Sequence, residues 1–115
     1  MSTFETNVQG DEMDSPILHV VGDLDLATAP LLLARAEEVM AASHYERFRL
    51  DLSAIRFIDS TGLGALIKIR NLLLEREGSL VITKTSPAVD RVLSLVGLSD
   101  LFSAEVAEEA PEPEA

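Results

Sequence analysis

Apolar and polar residues change rhythm several times along this chain, and each change marks an element. Ile17-Leu18-His19-Val20-Val21-Gly22 is a short β-branched run that predicts a strand. Arg47-Phe48-Arg49-Leu50-Asp51-Leu52 alternates strictly, which places Phe48, Leu50 and Leu52 on one face of a second strand. Between them Leu32, Leu33, Ala36, Val39 and Met40 recur at helical spacing to about Ala42, with Arg35 and Glu38 outside. Thr28-Ala29-Pro30 supplies an N-cap and a proline in the first turn of that helix. Thr3 to Gln9 has weaker β character and is followed by a turn over Gly10-Asp11-Glu12-Met13-Asp14.

After the apolar run Ile55-Arg56-Phe57-Ile58, the block Asp59-Ser60-Thr61-Gly62-Leu63-Gly64 opens a helix expected to reach Arg76 and to be capped by Gly78. Leu63, Leu66, Ile67, Leu73 and Leu74 are its expected core side. Ser60, Gly64, Lys68, Asn71 and Glu75 form one wet stripe at spacings of three and four. Leu80-Val81-Ile82 reads as a buried strand. Ser86-Pro87 starts a third helix by cap-and-proline logic, ending at Gly97 with Leu98 placed to touch Leu93. Leu101-Phe102 begins a short last strand or closing segment. The order β-β-α-β-α-β-α-β predicts an α/β domain, with a mixed sheet of four to five strands and helices packed mainly on one side.

Composition narrows the function classes. The 115 residues are 47% hydrophobic and 25% charged, with mean hydropathy +0.20, as expected of one ordered domain with a single core. The formal charge of −11, without a cluster of Lys or Arg, argues against nucleic acid and against an anionic membrane as partners. Residues 104–115 hold Glu105, Glu108, Glu109, Glu112 and Glu114 and no base, so the rest carries 15 acids against 9 bases. A domain over 1–106 and a disordered acidic tail over 107–115 are therefore expected. The chain has no cysteine, which removes disulfides and thiolate ligands. No apolar run approaches the ~20 residues of a membrane-spanning helix. Met1 to Glu5 lack the pattern of a signal peptide, so a cytoplasmic location is expected.

The candidate chemistry is sparse. A hydroxyl at the start of the second helix stands where backbone N–H groups are free and the helix dipole is positive. On residue pattern alone, Ser60 or Thr61 is either an N-cap or an accessible hydroxyl for modification. Gly64 leaves room beside it; Gly62 and Gly64 have the alternative reading of close packing at a turn. Asp23 and Asp25 are paired carboxylates, suited to acid–base work or a hard cation, but equally to solvated capping. His19 reads as a surface-alternating strand residue and His44 as helix-end polarity; neither has ligand spacing. The Ser60 block lacks both the lysine of a P-loop and the upstream glycine of a nucleophile elbow. No metal site, no cofactor and no enzymatic activity are expected.

Gly22-Asp23-Leu24-Asp25, Leu50-Asp51-Leu52-Ser53, Phe57-Ile58-Asp59-Ser60-Thr61-Gly62-Leu63-Gly64, Ser86-Pro87-Ala88-Val89 and Leu95-Val96-Gly97-Leu98, in this order, resemble STAS domains, and within them the stand-alone bacterial anti-sigma factor antagonists. The resemblance runs over about residues 3–106 and leaves out the acidic tail. It implies a STAS-like fold and a partner-switching role in transcription, including stress responses. Such an antagonist binds an anti-sigma factor with serine kinase activity and frees a sigma factor. The kinase phosphorylates the serine after the motif aspartate, here Ser60, with Thr61 as the alternative acceptor. The phosphorylated form lets go, and a metal-dependent serine phosphatase resets it. The implied partner-binding residues are Asp23, Asp25, Asp59, Thr61, Gly62, Gly64 and Lys68. A monomer is expected. The rival is a STAS-like adaptor that is never phosphorylated, built into a larger signalling or lipid-transport assembly.

Overall fold

The computed structural model describes residues 4–9, 16–42 and 47–95. His44, the Leu98 contact, the strand expected at Leu101-Phe102 and the acidic tail lie outside the described residues. The elements are β1 (Phe4–Gln9), β2 (Ile17–Leu24), α1 (Ala29–Ala42), β3 (Arg47–Ile58), α2 (Ser60–Glu75), β4 (Ser79–Thr85) and α3 (Pro87–Leu95). Together the described strands form a four-stranded sheet in the order β1-β2-β3-β4. β1 runs antiparallel to β2, whereas β2, β3 and β4 are parallel, joined through α1 and α2 as crossovers.

Alternation decides which face is buried. Leu18, Val20 and Leu24 of β2 join Phe48, Leu50 and Leu52 of β3 and Leu80 and Ile82 of β4 in one core. Leu32 and Ala36 of α1, Leu66 and Ile69 of α2 and Val89 and Leu93 of α3 cover that same face. The opposite face carries His19, whose Nδ1 lies 2.8 Å from the Asp51 carboxylate and whose Nε2 lies 2.9 Å from Gln9 Oε1. This contact ties three strands together, and His19 is the alternating surface residue its position implied. Asp51 is held below the usual aspartate range. Burial pushes its carboxyl up, but the Ser53 hydroxyl and N–H and the His19 ring outweigh that.

Three details differ from the sequence reading. β3 is a single strand of 12 residues that takes in both Arg47–Leu52 and the later run to Ile58. Ser53 and Ala54 break the alternation, but the chain continues through a register irregularity alongside β2. Leu74 is not core: it is 49% exposed, because the buried stripe of α2 ends on Leu73. The C-terminus of α2 is also one residue off. Glu77, with φ 62°, takes the left-handed position, while Gly78 donates its N–H to Leu73 O at 2.8 Å as the residue after it. The α3 start holds as expected, with Ser86 Oγ accepting from Val89 N–H at 3.3 Å and Pro87 first in the helix.

Candidate functional site

Leu24 and Ile58 stand level at the ends of β2 and β3, so the turns leading into α1 and α2 emerge side by side on one edge of the sheet. The Asp59 N–H donates to Leu24 O at 3.2 Å and joins the two turns. Each begins with an aspartate that takes the free N–H groups of its turn, and Asp59 is the N-cap of α2. Asp59 Oδ1 accepts from Gly62 N–H at 2.9 Å, and its carbonyl accepts from Leu63 N–H at 2.9 Å. Asp25 Oδ1 accepts from Ala27 N–H at 3.0 Å and Thr28 N–H at 3.1 Å, and its carbonyl accepts from Ala29 N–H at 2.8 Å.

The N–H groups of the two turns are therefore taken by the carboxylates and not by the hydroxyls of Ser60, Thr61 or Thr28. An ionised aspartate offers stronger acceptor oxygens than a hydroxyl to the orphan N–H groups of a helix start. Thr28 is the third residue of its turn and stands directly before α1, at the position its sequence predicted, with its carbonyl accepting from Leu32 N–H at 3.0 Å. Its buried hydroxyl donates to Asp23 O at 2.7 Å and accepts from Asp25 N–H at 2.9 Å, closing a reciprocal capping box. Ser60 is exposed at the first position of α2, and its hydroxyl has no hydrogen bond among the described residues. Thr61 is exposed beside it.

The two glycines separate cleanly. A Cβ on Gly62 would lie 2.4 Å from Leu24 O and 2.8 Å from Leu24 Cγ, so only glycine lets the α2 start close onto the β2 end. A Cβ on Gly64 would meet nothing within 4 Å. Ser60, Gly64, Lys68, Asn71 and Glu75 are all exposed, as their spacing predicts. Beyond the serine the stripe continues as a shallow depression lined by Gly64, Ile67, Lys68 and Asn71.

Asp23 is half-buried, and the Arg56 guanidinium approaches its carboxylate at 3.6 Å. Asp25 spends its carboxylate inside its own turn. The structure thus brings Asp23, Asp25, Asp59, Ser60, Thr61 and Gly62 to one edge and sets Gly64 and Lys68 along the helix leading away from it. Among the described residues no group of three or more His, Cys, Asp and Glu is arranged to hold a metal ion. Sequence reasoning missed Leu26, an exposed leucine at the first position of the Asp25 turn, and the exposed Phe57 beside Asp23. Leu26 left a signal: an apolar residue in a turn that fits neither helical nor strand periodicity.

A family model described as STAS domain matches residues 5–110. The chain belongs to the STAS-domain family. A relative from Listeria monocytogenes named anti-sigma-B factor antagonist is 33% identical over 85 residues, 74% of either chain. The crystal structure of an anti-sigma factor antagonist from Mycobacterium paratuberculosis matches with TM-score 0.74 at 30% identity, over 87% of this chain and 83% of that one. The anti-sigma factor antagonist SpoIIAA in its unphosphorylated form matches with TM-score 0.70 at 15% identity, over 96% of this chain and all of that one, a likeness of fold. The four-stranded mixed sheet with its helices is accordingly a STAS fold, as the sequence motifs implied. Among the described residues no helix is long and apolar enough to cross a membrane.

Proposed function

We propose that this chain is an anti-sigma factor antagonist. In its unphosphorylated form it binds an anti-sigma factor with serine kinase activity, which frees a sigma factor in the cytoplasm. Phosphorylation at Ser60 releases it, and a metal-dependent serine phosphatase returns it to the binding form. The names carried by its relatives support the antagonist role, and SpoIIAA, of the same fold, is known in both phosphorylated and unphosphorylated forms. The observation that carries the switch is the hydroxyl of Ser60: exposed, relieved of capping by Asp59, and followed one turn later by the open Gly64.

The physics of the switch is local. A neutral serine enters an interface at little desolvation cost. A phosphoserine adds about −1.5 to −2 charges and a strongly hydrated group. The α2 N-terminus offsets roughly 0.3–1 kcal/mol of that in the free protein. Stripping water from the phosphate in a closed interface costs several times more, so the complex opens while the fold persists. Asp23, Asp59, Thr61, Gly64 and Lys68 form the docking surface around the acceptor; Asp25 and Gly62 serve it by holding the two turns in place.

The test is incubation of the purified chain with the anti-sigma factor of its own genome and Mg-ATP, read by intact mass and phosphosite mapping. One phosphoryl group on Ser60, with loss of the complex, is expected. Ser60→Ala stays bound in ATP, and Ser60→Asp binds poorly. Phosphorylation confined to Thr61 would move the switch by one residue, and wild-type affinity in Ser60→Asp would refute the charge account.

A further inference from the structure

We propose that Leu26 is the apolar anchor of the docking surface, entering an apolar pocket rimmed by basic side chains on the kinase that modifies Ser60. The inference deepens the function proposed above and rests on it. Exposed leucines are common and carry little meaning by themselves. Leu26 differs in how it is held and where it stands. It is 73% exposed at the first position of the Asp25 turn, the same position that Ser60 occupies in the Asp59 turn. The two turns are bolted together through Asp59 N–H and Leu24 O, so an apolar side chain and the acceptor hydroxyl are offered from matching places on one edge.

The Leu26 turn is already ordered before any partner arrives. Asp25 accepts from the N–H groups of Ala27 and Thr28, and buried Thr28 closes back on Asp23 and Asp25. A leucine displayed from such a turn loses little backbone freedom on binding, which is the property of an anchor. Nothing in the capping geometry needs a leucine at that position, because its side chain makes none of these bonds. The charge around it states the rest of the pocket's chemistry. Asp23, Asp25 and Asp59 stand on the same edge, where Arg56 lies 3.6 Å from Asp23, so three carboxylates face one guanidinium and a complementary pocket has an apolar floor and a basic rim.

Binding of the full chain to the anti-sigma factor kinase is measured by calorimetry for wild type, Leu26→Ala, Leu26→Asp and Leu74→Ala, with Ser60 phosphorylation followed in parallel. Leu74 is the control, an exposed leucine near the far end of α2. Leu26→Ala is expected to raise Kd about tenfold or more while the phosphorylation rate at saturating antagonist is kept. Leu26→Asp, which places a charge on the apolar floor, weakens binding further, and Leu74→Ala stays within about twofold. Unchanged thermal unfolding of the variants assigns the loss to the interface. Wild-type Kd in Leu26→Ala, or an equal loss in Leu74→Ala, overturns the anchor while leaving the Ser60 switch standing. A change of self-association in Leu26→Ala at constant kinase affinity overturns it in favour of a contact between copies. Absence of wild-type binding and of Ser60 phosphorylation overturns both.

Discussion

The turns into α1 and α2 have the same scaffold and opposite contents. Each opens with an aspartate whose carboxylate takes the N–H three residues on, Thr28 in one and Gly62 in the other. At that third position the structure is exacting. Thr28 is buried and returns a hydroxyl to the backbone of Asp23 and Asp25, while Gly62 has no side chain because Leu24 occupies the space. At the first position the structure asks for almost nothing, and Leu26 and Ser60 both point to solvent. A cap satisfied by a carboxylate frees its neighbour for display. That is why the serine of this motif is available for chemistry while the threonine of the other turn is not.

Substitutions at the third position should have the largest effects. Gly62→Ala sets a methyl 2.4 Å from Leu24 O, so α2 must move off the sheet end. A net loss of about 1–3 kcal/mol is expected, against the roughly 1 kcal/mol that alanine offers over glycine within a helix. Gly64→Ala, with open space around the new methyl, should keep that propensity gain and be stabilised. Urea unfolding of the two variants should give opposite signs, and equal effects would erase the distinction between the glycines. Thr28→Val comes next, at about 1–2 kcal/mol, because it strands the Asp25 N–H and the Asp23 carbonyl without a partner. Thr28→Ser should recover most of the loss; if it does not, packing of the methyl and not the hydroxyl holds the turn.

Removing a cap should matter less, since water can reach the freed N–H at a helix end. Asp59→Ala is expected to cost about 1 kcal/mol and to speed amide hydrogen exchange at Gly62 more than at Gly78. Uniform acceleration along α2 would mean the carboxylate stabilises the whole helix and not its first turn.

Much of this arrangement is legible in the chain itself. Alternation at Phe48, Leu50 and Leu52 fixes the buried face of β3, and Ser86-Pro87 announces α3, because both signals depend on near neighbours. The caps were harder. Asp59 and Ser60 are both good capping residues, and only backbone geometry decides which carbonyl begins the helix. Gly62 and Gly64 look alike in sequence, since their difference is the distance to Leu24 on another element. The fusion of Arg47–Leu52 with Ile55–Ile58 into one strand was hidden for a similar reason: past Leu52 the alternation breaks, and β3 is continued by its pairing with β2. The motif pointed to Ser60, while the freedom of its hydroxyl needed the position of Asp59.

The smallest stability effect is expected at Ser60, and it tests the comparison most directly. Ser60→Ala removes a hydroxyl that bonds nothing among the described residues and substitutes a better helix former, so stability should stay within about 0.5 kcal/mol of wild type. The stronger form of the test combines it with Asp59→Ala. If Asp59 alone caps α2, the two effects add to within roughly 0.3–0.5 kcal/mol. If Ser60 takes over capping when the carboxylate is gone, its removal costs more in the Asp59→Ala background, up to the ~1 kcal/mol of a full cap. Additivity would mean that the hydroxyl carries no structural duty even in reserve, leaving its exposure at the sheet edge to be explained by what docks there.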